Sequence, residues 1–311
     1  MYGEVKVELT APAFTAHLYR YFGYYPVWVE VKNSYVKIEA GRAVPVGTLK
    51  NVVVEVKIGD APWQKKSLGD IGPGESKEAE FTRTFQMSWL EGIVHYEVVR
   101  VQAKVSWLDP KTGRRESWSG YDEGQMFGKN WVLFRLGLEY PCLYGPSWIT
   151  PADDTVQHFV KSLGEMVTSS DEGALEAAAM IWDALCRLGV KYVTDPSDPL
   201  FDEEDYIQFA SQTLSRRGGD CDDLSILFAT CLEAVGIHTG LVAVPGHMFP
   251  FFILPESGRI VFVEATFLPD HTFSEAVEYA LNSYRYHKAR NEIIFIIYTH
   301  DCWDMGFSPW G

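Results

Sequence analysis

The sequence predicts an α+β protein in two parts, an antiparallel β-sandwich over residues 1–140 and an α+β domain over residues 141–311. Three observations carry that expectation. At 311 residues the chain exceeds what one hydrophobic core usually organises, since single domains run roughly 100 to 200 residues. Its apolar residues alternate with period two as far as Tyr140, and recur at helical spacing beyond Thr150. Turn residues punctuate the first part at short intervals, whereas the second mixes helical stretches with strands.

In the first part the alternation is plain in Val27-Trp28-Val29-Glu30-Val31, in Val52-Val53-Val54-Glu55-Val56 and from Tyr96 to Val105. Ile71-Gly72-Pro73-Gly74 and the run from Asp109 to Gly113 are turn-like separators. Many short half-buried strands without a helical pattern are best satisfied by an antiparallel sandwich of the immunoglobulin-like kind. Trp28, Trp63, Trp89, Trp107 and Trp118 fall in this part, and either pack in its core or line a peptide- or glycan-binding surface.

From Pro141 to Thr150 the periodicity breaks and the chain reads as a linker. Thr150 then caps a helix with Pro151 at its first position and an apolar stripe of Val156, Phe159, Val160 and Leu163. A second helix is expected from Asp171 to Leu188, stopped by Gly189, with Leu175, Ala178, Ala179, Trp182 and Leu185 on one face. A polar loop from Thr194 to Pro199 follows. Leu224, Leu227, Phe228, Cys231, Leu232 and Val235 again fall at helical spacing, ahead of Gly236. That spacing places Cys221 in the first turn of an amphipathic helix, with Asp220 as its N-cap and Gly218-Gly219 permitting a sharp entry and a close approach of backbone to substrate. Strands are expected at Gly240–Val244, His247–Leu254 and Ile260–Thr266, with a kink at Pro245-Gly246 and a turn at Pro255–Gly258. Ile293–Ile297 reads as a core strand.

Charge and composition exclude some partners. Twenty-seven basic against 42 acidic residues give a formal charge of −15, which argues against nucleic acid and anionic membranes, both of which are bound through positive patches. No run approaches the roughly 18 apolar residues that span a bilayer, and the N-terminus lacks a charged segment followed by an apolar one. A soluble chain is expected, cytoplasmic, or extracytoplasmic if a leader has been removed. Five cysteines, at 142, 186, 221, 231 and 302, are an odd number scattered along the chain, so at least one thiol is free or pairs with another molecule. None forms a C-x-x-C pair, and no metal or cofactor is expected. Asp195, Asp198, Asp202, Glu203, Glu204 and Asp205 crowd one loop without EF-hand spacing, as a solvated acidic segment does. His300-Asp301-Cys302 sets three reactive side chains side by side, but adjacent residues rarely converge on one atom.

The chemistry concentrates around Cys221. A helix N-terminus carries partial positive charge and free N–H groups, which stabilise a thiolate and donate to an oxyanion. Asp220, Asp222 and Asp223 oppose that by raising the thiol's pKa, so an imidazolium is needed to offset them. If Pro255–Gly258 is a four-residue hairpin loop, Leu254 faces Arg259 and Glu264 aligns with Phe249, on the face that also carries His247. A carboxylate there fixes the histidine's tautomer and stabilises its protonated form. By position alone, Cys221 is as readily an ordinary helix-start residue, His247 a satisfied strand histidine and Glu264 a solvent-facing edge residue. It is their geometric agreement that favours function.

Gly219-Asp220-Cys221-Asp222-Asp223-Leu224, the helix ending in Glu233-Ala234-Val235-Gly236-Ile237, Pro245-Gly246-His247 and Val263-Glu264-Ala265-Thr266 resemble the core motif of transglutaminase-like proteins, over about Tyr206 to Phe267. The resemblance implies a papain-like fold in which Cys221 is the nucleophile, His247 the general base and then acid, and Glu264, in place of the usual Asp, the third member. It further implies acyl transfer on peptide or isopeptide bonds, by a peptidase or amidase, by a transglutaminase with an amine acceptor, or by neither in members that only bind. Gln208 stands upstream of the nucleophile as an oxyanion donor does in papain-like enzymes, or as an ordinary loop glutamine.

Overall fold

The computed structural model describes residues 4–133, 142, 145–194 and 204–310. The chain is an α+β protein whose residues group into two compact units, 1–129 and 130–311. None of its described helices is long and apolar enough to cross a membrane.

Unit 1–129 holds two main sheets. In the three-stranded one, Tyr25–Asn33 lies between Val5–Thr10 and Ser76–Arg83, antiparallel to both. In the five-stranded one the spatial order is Ala13–Thr15, Arg115–Phe127, Tyr96–Leu108, Leu49–Ile58 and Gln64–Ile71. All neighbours are antiparallel except Ala13–Thr15, which runs parallel to Arg115–Phe127. Period-two burial explains why these segments are strands. Val99, Val101, Ala103, Val105 and Trp107 are buried while Arg100, Gln102 and Lys104 between them are exposed, and Val52, Val54, Val56 and Ile58 repeat the pattern. Two short helices, Ala16–Phe22 and Met87–Glu91, interrupt a stretch in which the sequence predicts strands alone. The first begins where the Thr15 hydroxyl accepts the Leu18 N–H. Of the five tryptophans, Trp107 is buried, Trp118 faces the same side as its neighbour Val105, and exposed Trp63 lies under the Lys104 ammonium at 4.4 Å. Trp28, Trp107 and Trp118 lie on the two sheets, Trp89 in the helix Met87–Glu91, and Trp63 just before the strand Gln64–Ile71.

Unit 130–311 is built on a four-stranded antiparallel sheet in the order Ile260–Phe262, His247–Ile253, Thr239–Val244, Phe295–Tyr298. Leu224, Leu227, Phe228 and Leu232 of the helix Cys221–Ala234 form one core cluster with Ala178, Ile181 and Trp182 of the helix Asp171–Leu188. Trp182 meets Phe228 edge-on at 5.8 Å and donates its indole N–H to the His271 carbonyl. The helix Phe273–Ala289, which has no counterpart among the expected elements, joins this cluster through Ala276 and a second one through Ala280, where Val242, Val244, Phe249, Phe251 and Phe262 lie. Gly240 is required in the sheet, because a Cβ there would stand 2.2 Å from the Phe251 ring and 2.4 Å from the Ile297 carbonyl oxygen.

Several local expectations are corrected. The first helix starts at Asp154 rather than at Pro151, because the Asp153 carboxylate accepts the N–H groups of Thr155 and Val156 and so supplants Thr150 as the cap. In the helix Asp171–Leu188 the buried stripe runs through Ala174, Ala177, Ala178, Ile181, Trp182 and Leu185, and Leu175 is exposed. The helix Cys221–Ala234 is buried at every position from Asp222 to Leu232, so it is a core helix rather than an amphipathic one. Pro245-Gly246 is the two-residue turn of a hairpin, with Val244 opposite His247 and Gly246 at φ +71°. The strand from Ile260 ends at Phe262, where the chain turns into the 3-10 segment Ala265–Phe267. Phe295–Tyr298 is an edge strand with Ile296 exposed, not a core strand. Within the expected linker, Trp148 and Ile149 are fully buried, Trp303 donates to the Pro146 carbonyl, and Cys142 is disulfide-bonded to Cys302. That segment is packed structure from Gly145 onward. Pro141, Leu143 and Tyr144, like Asp195, Asp198, Asp202 and Glu203 of the acidic loop, lie outside the described residues.

Candidate active site

Cys221 opens the helix Cys221–Ala234, with Asp220 as N-cap accepting the Asp223 N–H at 3.3 Å. The two residues before it, Gly218–Gly219, form a short parallel pair with Lys191–Tyr192. Gly219 is there for space, since a Cβ would fall 2.4 Å from the Asp223 Cβ and 2.6 Å from its Oδ2. Asp223 itself is fully buried and holds the preceding loop, accepting the Gln208 backbone N–H at 2.7 Å and its side-chain amide. Gln208 also donates to the Gly218 carbonyl at 3.3 Å and accepts from Arg216 at 3.0 Å. Both amide hydrogens of Gln208 are therefore engaged in the framework that holds the first helical turn, and neither is free for an oxyanion.

At the helix mouth the cap takes up the N–H of Asp223, and the Asp220 carbonyl accepts that of Leu224 at 3.1 Å. This leaves the N–H groups of Cys221 and Asp222 as the donors of the first turn, among the described residues. Asp222 is buried, and its carboxyl is pushed well above the usual range by burial first and then by its hydrogen bond to Asp220 and the charges of Asp220, Asp205 and Asp223. Its Oδ1 accepts the Asp223 N–H at 2.7 Å.

The thiol of Cys221 stands in an unhelpful field. Protein crowds the sulfur although the residue as a whole is only partly buried, and this burial, with the Asp220 charge next in weight, pushes the thiol up to about 12. A hydrogen bond from the Met248 backbone N–H works against that shift, while Asp205 and Glu264 add to it. Cys231 and Cys186 are the other free thiols; Cys231 is fully buried in the core, as its place on the apolar stripe predicts.

His247 begins its strand directly after the Pro245-Gly246 turn, one residue from the Met248 amide that meets the sulfur. Its Nε2 lies 2.8 Å from Glu264 Oε2, with the Glu264 side chain 1% and the His247 side chain 26% exposed. The strand register is Phe251 opposite Phe262 and Ile253 opposite Ile260, and Leu254 N–H bonds the Arg259 carbonyl at 2.8 Å, the alignment that a four-residue loop requires. Glu264 then leaves the ladder, giving its N–H to the Ala276 carbonyl. Its Oε1 accepts the Thr266 N–H at 3.2 Å and the Thr266 hydroxyl at 2.5 Å. A carboxylate can only accept in this bond, so Nε2 is the nitrogen that donates its hydrogen to Glu264.

Two contributors escape the sequence reading. Ser225 donates to the Cys221 carbonyl at 2.5 Å and stands 3.2 Å from the Met248 carbonyl, which ties the first turn of the Cys221 helix to the strand that carries His247. Its only signal is the i, i+4 spacing from Cys221 on a helix. Thr266, which orients Glu264, follows it by two residues, the spacing of a local side-chain turn. No protein-family model and no curated protein matches the chain.

Proposed function

We propose that the protein is a cysteine-dependent acyl-transfer enzyme, a peptidase or amidase acting on peptide or isopeptide bonds, with Cys221 as nucleophile, His247 as base and then acid, and Glu264 as the residue that orients the imidazole. The observation that carries this reading is the buried, fully partnered Glu264 carboxylate 2.8 Å from His247 Nε2, on a strand whose next amide meets the Cys221 sulfur. Buried carboxylates are costly to keep, and one aimed at a partly exposed histidine beside a thiol is what such chemistry requires. The motif likeness to transglutaminase-like proteins supports the same assignment. With it go a papain-like arrangement for unit 130–311 and a sandwich of the two sheets in unit 1–129.

In this reading the resting thiol is neutral, given the field around it. As Sγ bonds to the substrate carbonyl carbon, the thiol proton passes to His247 Nδ1, and the carbonyl oxygen gains charge against the N–H groups of Cys221 and Asp222. His247 returns the proton to the departing amine as the C–N bond breaks, leaving a thioester. Water, giving its proton to the same nitrogen, then releases the acid and restores the thiol. An amine in place of water makes the product a new amide, which is the transglutaminase alternative.

A second reading has an observation behind it. The strongly raised thiol, with burial and carboxylates as its main influences, favours a fold kept for binding without turnover. Rates of iodoacetamide labelling, mapped by mass to each of the three free thiols in the parent and in His247→Ala, separate the two. Selective labelling of Cys221 ahead of Cys186 and Cys231, lost in the variant, supports the enzyme. Equally slow labelling of Cys221 in both proteins sinks it.

A further inference from the structure

We propose that Glu233, His238 and His300 form a binding site for one divalent transition-metal ion of the zinc class, separate from the Cys221 site. One ligand atom from each residue lies within 4.8 Å of the other two. Glu233 is in the last turn of the helix that Cys221 begins, so the two sites are separated by roughly 18 Å along it, at about 1.5 Å per residue.

Each ligand is held by a different part of the fold. Glu233 is 4% exposed at its side chain; its Oε1 accepts the Thr239 N–H at 2.7 Å and the Thr239 hydroxyl at 2.8 Å. Thr299 in turn lies 3.0 Å from the Thr239 hydroxyl, oxygen to oxygen. That leaves Oε2 as the coordinating oxygen, with the other half of the carboxylate fixed by hydrogen bonds as metal-ligating carboxylates usually are. His300, in the short helix Thr299–Asp304, already places Nε2 2.9 Å from Oε2. His238 directly precedes the strand Thr239–Val244; its carbonyl is pinned by the Ile253 N–H at 2.9 Å, and its ring lies 4.0 Å from that of His300.

The chemistry of the set selects the ion. Two imidazoles and one carboxylate are borderline donors, suited to zinc and its neighbours and poor for calcium or magnesium. Tetrahedral bonds of about 2.0–2.1 Å put ligand atoms roughly 3.3 Å apart, so the Glu233–His300 pair at 2.9 Å needs little adjustment and His238 moves inward by at most about 1.5 Å. His238 is exposed and the His300 side chain 43% exposed, so the fourth position opens to water. Glu233 also sits at a helix C-terminus, where the last carbonyls favour a cation. A bound ion would cross-link the nucleophile's helix, the sheet and the terminal helix that carries the disulfide-bonded Cys302.

The test is titration of the 311-residue chain with zinc, followed by calorimetry, and with cobalt(II), followed by its visible absorption. Cys221→Ala serves as a control for thiol binding. One tight equivalent is expected in the parent and in Cys221→Ala. Affinity should fall by at least about 100-fold in His238→Ala, and by about 10-fold in Thr239→Val, which removes only the supporting hydroxyl. His238 makes the surface-facing contact of the set, so its variant is expected to keep the fold. A parent that binds no tighter than His238→Ala, or binding lost in Cys221→Ala instead, overturns the proposal.

Discussion

Asp220 has two effects on Cys221 that pull in opposite directions: its side chain caps the helix whose N-terminus favours a thiolate, and its charge raises the thiol. Asparagine keeps the cap and removes the charge. The Cys221 labelling profile of Asp220→Asn should therefore shift to lower pH than in the parent, as read by iodoacetamide rates; an unmoved profile would mean that the Asp220 charge does not act on the thiol. Asp222 supplies a stability signature with a definite sign. Its carboxyl is raised in the folded state, so the folded chain binds the extra proton and the contribution is fully present below about pH 4, the ordinary aspartate value, then lost as pH rises toward the folded pKa. In Asp222→Asn that dependence disappears, and thermal melts should show the variant gaining on the parent as pH rises from about 4 to neutrality. These residues were visible in the sequence as a cluster, but only burial and mutual contact in the fold raise the Asp222 carboxyl.

At the level of elements, the two helices Asp171–Leu188 and Cys221–Ala234 pack through Ile181, Trp182 and Phe228 rather than through Leu175. Ile181→Ala should cost about 2–5 kcal/mol in denaturant unfolding, as for a fully buried aliphatic side chain, while Leu175→Ala should stay within about 0.5 kcal/mol. Comparable losses in both would restore the stripe that periodicity alone predicts. The reason the stripe was misplaced is that Ala174 and Ala177 are small residues that allow close approach, a signal that counting large apolar side chains overlooks. Boundaries set by local chemistry fared better. Asp220 as a cap, Gly189 as a left-handed stop and the Pro255–Gly258 loop all depend on a few neighbouring residues, and all are found where the sequence predicts them.

For the whole chain, the most consequential unforeseen link is the disulfide between Cys142 and Cys302, 160 residues apart. Closing so long a loop restricts the unfolded state by up to about 5 kcal/mol in the chain-entropy picture, so reduction or Cys302→Ser should lower stability by about 2–5 kcal/mol in equilibrium unfolding. A variant as stable as the oxidised parent would show that the link adds nothing. The sequence by itself determined the α+β class, the change from strands to helices, the cap of the Cys221 helix and the facing of His247 and Glu264. Each of these follows from interactions between residues close in the chain or from a register carried by one short loop. Only the tertiary structure decided that the Cys221 helix is buried all round, that the strand Phe295–Tyr298 lies at an edge, that Cys142 meets Cys302, and that Glu233, His238 and His300 converge. Those outcomes depend on which distant segment covers a given face, and that is settled by packing of the whole core, which no local period encodes.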